Sequence, residues 1–522
     1  MNVQKWYQAV ACGVVTLGLG AGAAAEDWPM WGGSPDRNMA SHTEGPMPTD
    51  FDPGTFKTGS DEIDPETLSD NVRWVAKLGS QTYGNPTVAN GRVFVGTNND
   101  GRGDDRFVGD FSLLYAFSEE TGEREWTLSV PKIGSGKVGD WEYLGICSSA
   151  AIDGDRVYIV TNRSELLCLD IEGMANGNTG PFTDEGKYYA GMNTDNSPIE
   201  IKANDADIIW RYDMREELGV FPHNATSSSP MIIGDKVYVS TSNGVDWGHT
   251  NIPNPRAPIF IALDKNTGEL IGEEASGIST RIFHGAWSSP TYGEHNGENM
   301  LFYGGPDGWA YGFDPTPEPD ADGFGIFEEY WRADLNPEHY RYRDDGTPIR
   351  YARPDGPSEV ISTPVYHDGM LYVTIGQDPE HGEGVGNLVA IDVTGEGDVT
   401  DSEIVWEHRD LYRSMSTPSV VDDLLFVADF SGFIYCFDAK TGDLHWTHDS
   451  LSHIWGSTLV ADGKVYVGNE DGDVLIFNAS KEKELINAIN MRDPIYSTPV
   501  VANGALYIAT QTQLYAVEAE QD

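Results

Sequence analysis

The stretch Ser414–Trp446, SMSTPSVVDDLLFVADFSGFIYCFDAKTGDLHW, decides the fold. It holds three short apolar runs in succession: Ser419–Val421, Leu424–Ala428 and Phe433–Asp438. Turn residues part them: Asp422-Asp423, then Ser431-Gly432, then Thr441-Gly442 before a fourth run that ends at Trp446. Short alternating runs bounded by Gly, Asp and Ser predict antiparallel strands. Four of them joined by tight turns predict one four-stranded meander.

Working outward, the same pattern recurs. Third strands read LLYAFS ending at Ser118, LLCLD at Asp170, IFIALD at Asp264, AYGFD at Asp314, LVAID at Asp392, IYCFD at Asp438, VLIFN at Asn478 and LYAVE at Glu518. A Thr-Gly turn follows three of these copies, at Thr121-Gly122, Thr267-Gly268 and Thr441-Gly442. A fourth-strand Trp recurs at Trp126, Trp210, Trp331, Trp406 and Trp446. First strands open with a small polar residue and Pro: Ser229-Pro230, Ser289-Pro290, Thr363-Pro364, Thr417-Pro418 and Thr498-Pro499. Asn85-Pro86 is a looser version, and Ser149 and Thr458 lack the Pro. The eighth copy stops at Asp522 without a fourth strand, while a lone strand, Asn71–Leu78, stands ahead of the first copy with Trp74 in the place of Trp446. Together they predict an all-β, eight-bladed β-propeller of four-stranded antiparallel blades, its ring closed by the N-terminal strand 71–78. Closure removes the open edges that unpaired strands would present.

The chain has 522 residues and a formal net charge of −50. Such a surface excludes nucleic acid, since nothing neutralises phosphates, and disfavours anionic lipid. It favours solubility, as in saline environments. Residues 1–25 read as a signal peptide, with Lys5, an apolar run from Ala9 to Ala25, and small residues before Glu26. Too little apolar sequence precedes Cys12 for a lipoprotein cysteine. No later stretch reads as a transmembrane segment, so the expectation is an exported protein, periplasmic or extracellular. Residues 26–70 form an N-terminal lead-in whose segment Asp27–Ser41 carries two Trp to pin it, with a loose 42–70 behind; the propeller spans 71–522. Cys147, Cys168 and Cys436 remain after the leader, an odd number that is no disulfide framework. Cys168 and Cys436 occupy the same place in two repeats and read as small buried apolar residues.

The blade pattern, small-polar-Pro, then aromatic-Val, then Asp-x-x-Thr-Gly-x-x-x-Trp, resembles the pyrroloquinoline quinone (PQQ) repeat family from about residue 70 onward. WD-repeat propellers match less well, because the Trp-Asp ending is absent. The resemblance implies either of two kinds of protein: quinoprotein alcohol dehydrogenases, which use PQQ and calcium, or non-catalytic relatives such as the propeller of the outer-membrane β-barrel assembly machine.

A site belongs on one face. Loops between first and second strands are short, as at Asn90-Gly91, Asp462-Gly463 and Asn503-Gly504. The opposite face carries long insertions: Asn98–Phe111, Pro131–Ile146, Asn243–Pro258, Asn336–Glu359 and Gln377–Asn387. Function concentrates on long loops over a rigid scaffold. Residues just ahead of the first strands point into that funnel: His223, His284, Trp287, Arg413, His453, Trp455 and Tyr496. Arg and His beside Trp suit a small anionic ligand, PQQ among them, through charge-assisted hydrogen bonds and stacking; alternatively the aromatics only plug the channel.

The stretch Val237–Thr250 is similar to a quinoprotein blade in which an Asn-Gly-x-x-Trp motif supplies a calcium ligand; Asn243 holds that place, with Glu165 as the weaker counterpart of the family's Glu. Three features depart from the family. Ser288 follows Trp287 where a catalytic Asp is expected, Cys147 is followed by Ser148 rather than a second Cys, and no haem motif exists. Asp378, Glu380, His381 and Glu383 form either a divalent-ion cluster or a solvated loop. Arg341, Arg343, Arg350 and Arg353 interleave with Tyr340, Tyr342 and Tyr351 in a basic-aromatic patch that suits an anion, a protein partner or neighbouring acidic loops. A hydrolase or lyase would need acid/base residues among His223, His284 and Glu142, and no paired-carboxylate signature supports one. The leading expectation is an exported propeller that binds a ligand or a protein partner on its long-loop face; the alternative is a divergent PQQ- and calcium-dependent dehydrogenase.

Overall fold

A computed structural model describes residues 26–43, 45–101, 103–191, 197–381 and 384–519; the leader reading of residues 1–25 lies outside them. Eight antiparallel sheets follow one another around a central channel. We number them blades 1 to 8: Thr87–Pro131, Ala151–Asp213, Met231–Glu273, Thr291–Asp334, Val365–His408, Ser419–Asp449, Leu459–Asn490, and Val500–Glu518 joined by Val72–Lys77. The last pairing closes the ring. Val72–Lys77 runs antiparallel to Gln513–Glu518, with Trp74 opposite Ala516. Short strands from insertions widen two blades: Glu318–Pro319 and Gly325–Ile326 extend blade 3, and Gly397–Asp398 extends blade 4.

The repeat residues are the fasteners between blades. Each outer-strand Trp faces a small residue of the third strand: Trp126 opposite Ala116, Trp210 opposite Cys168, Trp406 opposite Ala390, and Trp446 opposite Cys436. Cys168 and Cys436 therefore repeat because the large ring needs a small neighbour, and both are buried and free. Except at Trp331, whose buried indole N–H finds no acceptor, the same Trp donates its indole N–H across to the next blade: Trp210 to Lys265 O at 3.0 Å, Trp406 to Ala439 O at 2.9 Å, and Trp74 to Glu119 O at 2.9 Å, which carries the fastening through the closure. The Gly of the Thr-Gly turn lies against that ring. A Cβ on Gly268 would stand 2.7 Å from Trp210, and its φ of +73° is one that an L side chain rarely adopts.

At six of the eight seams the small polar residue ahead of the first strand makes a second, inner fastening. Its side-chain oxygen accepts the backbone N–H of the preceding blade. Ser149 N donates to Ser229 Oγ and Ser229 N to Ser289 Oγ, at 3.0 and 2.9 Å. Thr363, Thr417 and Ser457 continue the series to Thr417, Ser457 and Thr498, at 3.2, 2.9 and 2.8 Å. Thr498 N reaches Asn85 Oδ1 at 2.6 Å, so the looser Asn-Pro version fills the same role across the ring closure.

The lead-in is not loose. Met47, Phe51 and Ile63 are buried against blades 7 and 8, and Tyr466 donates to Pro48 O at 3.0 Å. Ahead of them, residues 26–41 cross the short-loop end of the channel and bond to every blade in turn. Backbone bonds join Glu26 to Asn503, Trp28 to Val88, Pro29 to Ile152, Pro35 to Tyr292, Asp36 to Tyr366 and Met39 to Val460. Asn38 exchanges two hydrogen bonds of 2.8 Å with the backbone of Val420. Arg37, fully buried, covers blade 3: its guanidinium donates to the carbonyls of Ser229 and Pro230, and also to Trp31 and Pro290. Burial draws that guanidinium down to about 9.

Candidate functional site

The lead-in makes the channel a funnel with a floor. Trp31 closes its base, held by an indole N–H donated to Thr363 Oγ1 at 3.1 Å. Above lies a cavity of about 430 Å³, lined by residues ahead of the first strands of all eight blades and by Trp141–Leu144 and Asp378–Glu380 from two insertions; Glu383 of the second lies outside the described residues. That volume falls within the ~300–1,000 Å³ of ordinary ligand sites. Tyr83 and Tyr496 stack at 4.9 Å, and Trp455 meets Tyr496 edge-on at 5.7 Å. Trp287 lines the opposite wall, its indole N–H shared between the carbonyls of His223 and Ala225. Among the described residues the lining carries three carboxylates, Glu142, Asp378 and Glu380, and no Lys or Arg. Lys137 comes only to the rim, 3.6 Å from the Trp141 ring and 3.8 Å from Glu380.

Of the residues expected in the funnel, Trp287, Trp455 and Tyr496 line it. The aromatics leave the cavity open rather than plugging it. Arg413 and His453 do not line it: both lie on Phe430, Arg413 at 4.5 Å and His453 stacked at 4.4 Å with its Nδ1 against Phe430 O. His223 and His284 stand behind Trp287 rather than in the cavity.

There they meet two further histidines from the long-loop face. His223, His249 and His284 bring ligand nitrogens within 4.8 Å of one another, and so do His284 and His381 together with an Asp378 oxygen. His249 and His284 face each other through Nε2 at 3.0 Å. Burial lowers His223 to about 4 and pulls His284 and His249 below the usual imidazole range, so these rings are neutral near pH 7. His249 comes from the insertion after Asn243 and carried no sequence signal of its own. Tyr351 and Glu359, set in the loop 336–359, complete the cluster's inner side. Two arginines of that loop are drawn to separate carboxylates: Arg341 is paired with Asp334 and Arg353 lies 3.8 Å from Asp355.

The family model described as outer membrane protein assembly factor BamB, a PQQ-repeat model, matches residues 63–173, 110–282 and 328–522. The chain belongs to the PQQ-like propeller family. Comparison with curated proteins gives no match. Among solved structures, this PQQ-like propeller is similar to a quinohemoprotein alcohol dehydrogenase of Pseudomonas putida, with a TM-score of 0.55 and 13% identity over 95% of this chain and 81% of that one. It is also similar to BamB of Moraxella catarrhalis, with a TM-score of 0.48 and 16% identity over 79% of this chain and 92% of that one. Identities this low show the fold alone.

The residues present do not fit PQQ with calcium. Asn243 of this PQQ-like propeller is buried and spent on structure: its Oδ1 accepts Phe221 N at 3.0 Å and its Nδ2 donates to Asn254 O and Ser279 Oγ. Trp247 of the same motif is 65% exposed. Glu165 is held by Arg163, Arg211 and Tyr188, and shares no hydrogen-bond partner with Asn243. Ser288, in the place of the family's Asp, is buried and donates to Ser362 O at 2.8 Å. A tricarboxylate in the funnel would meet three carboxylates and no lining cation.

Proposed function

We propose that this PQQ-like propeller is an exported binding scaffold whose funnel holds an uncharged or cationic small ligand and performs no chemistry on it. The single observation that carries this reading is the lining: aromatic faces and hydroxyls, three carboxylates, and no Lys or Arg among the described residues. Ring faces attract cations and stack on the apolar faces of hydroxylated ligands, and carboxylates add to the first effect. The buried serine at the catalytic position supports binding without turnover, because a hydroxyl has no carboxylate's basicity. Export is supported by the leader-like sequence of residues 1–25 and by the net charge of −50. No helix among the described residues is long and apolar enough to cross a membrane.

The test is tryptophan fluorescence and thermal melting of the purified chain against choline, glycine betaine, neutral sugars and PQQ with calcium. A ligand that binds only the folded state raises Tm by mass action. Expected is a shift with a cationic or neutral compound, lost in Trp455→Ala, and none with PQQ and calcium. Stabilisation by PQQ and calcium alone would overturn the reading in favour of the dehydrogenase.

A further inference from the structure

We propose that His223, His249 and His284, with His381 on the fourth side, form a site for a divalent transition metal of the zinc and copper class, set in the long-loop face beside the funnel. Three arguments support it.

The first is convergence. A zinc-like ion sits about 2.0–2.1 Å from each imidazole nitrogen, so tetrahedral ligands lie roughly 3.3 Å apart. The Nε2 atoms of His249 and His284 are already 3.0 Å apart, and His223 brings the set within 4.8 Å. Small side-chain movements close that gap. His249 and His381 are half-exposed, so an ion enters from the long-loop side, whereas His223 and His284 are buried and fix the inner half.

The second is the state of the other ring nitrogens. Metal-binding histidines hold their second nitrogen on a carbonyl or carboxylate, which fixes ring orientation. Here Nδ1 of His223 lies 2.7 Å from Val245 O, and Nδ1 of His381 lies 3.2 Å from Asp378 Oδ1. Nδ1 of His284 faces Tyr351 OH at 3.4 Å and Glu359 Oε1 at 3.8 Å. In each ring Nε2 is the nitrogen left for an ion.

The third is charge. Glu359 is fully buried; Oε1 accepts Tyr351 OH at 2.9 Å, and Oε2 closes no full hydrogen bond. An ion on His284 would have Glu359 behind the ring and Asp378 beside it, two carboxyl groups that favour a cation there. Imidazoles select zinc, copper or nickel over calcium, which takes oxygen ligands. This site is therefore distinct from the calcium position tested at Asn243, and Asp378 is the residue it shares with the funnel lining.

The experiment is calorimetric titration of the full, chelator-treated chain with Zn²⁺, and in parallel with Cu²⁺ followed by its electron paramagnetic resonance spectrum. Excess Ca²⁺ and Mg²⁺ in the buffer occupy the acidic surface. Expected is a one-equivalent endpoint, with nitrogen hyperfine structure on copper, that Ca²⁺ does not displace. His249→Ala, at a half-exposed position that leaves the core intact, abolishes the endpoint. Tyr351→Phe keeps it and weakens affinity about 10-fold or more, as loss of an outer hydrogen bond does. The proposal is overturned if neither ion gives a one-equivalent endpoint, if the endpoint survives both His249→Ala and His284→Gln, or if Ca²⁺ removes it.

Discussion

Glu274 sits beneath blade 3, buried, with its Oε2 accepting the Ile259 N–H at 3.1 Å. Burial outweighs its backbone donors and pushes the carboxyl from 4.5 up to about 7. The folded state thus holds this proton more tightly than the unfolded chain. Its contribution to stability is complete below 4.5 and is lost as pH rises through about 7, a difference of about 3 kcal/mol at 1.36 kcal/mol per unit. Glu274→Gln removes the titration, so its denaturation midpoint changes less than that of the parent between pH 5 and pH 8; equal slopes in the two proteins would show that the charge is already satisfied. Nothing in the sequence marked Glu274 among so many acidic residues, because only burial sets it apart. The His cluster was legible except for one member, for a related reason. His223 and His284 stand at repeat positions and His381 sits among carboxylates in QDPEHGEG, whereas His249 lies within an insertion whose fold no local pattern specifies.

A blade is a local object, and the repeat residues could be read because each performs its task within or next to one meander. The Trp, the small residue opposite it and the Thr-Gly turn all meet at one seam. The Gly carries two separate requirements there, and two variants part them. Gly234 has φ +61° with open space around a new Cβ, while Gly268 has φ +73° with Trp210 at 2.7 Å. Gly234→Ala carries the backbone strain alone, about 1 kcal/mol. Gly268→Ala adds overpacking against the indole, typically a further ~1–3 kcal/mol. Urea midpoints of the two variants, compared with the parent, measure the difference; equal losses would mean that Trp210 gives way freely. What the blade pattern left unread was the direction of each long loop. That is why Arg413 and His453, placed correctly ahead of their strands, lie on Phe430 instead of in the cavity.

At the scale of the whole molecule, three sets of bonds fasten the ring: outer Trp to next-blade carbonyl at five seams, inner side-chain oxygen to previous-blade N–H at six, and the segment 26–41 across the short-loop end. The first two follow from repetition and were foreseeable. The third was visible in the sequence only as a pair of Trp worth pinning, since its bonds run to backbone atoms of strands up to hundreds of residues away. Arg37 is its central tie. The buried guanidinium satisfies carbonyls on blades 3 and 4 as well as Trp31 O, and Trp31 is the floor of the funnel. Arg37→Met keeps the volume of the stem and removes every donor, leaving buried acceptors unpaired at ~1–3 kcal/mol each. The expected result is a fall in the melting temperature together with early proteolytic cleavage within 26–41, while blades 1 to 8 stay resistant and the Trp31 contribution to fluorescence becomes accessible to quencher. A variant that melts and resists protease like the parent would show that the blades hold the ring without the segment, and that the floor of the funnel is an accessory to a ring already closed by its strands.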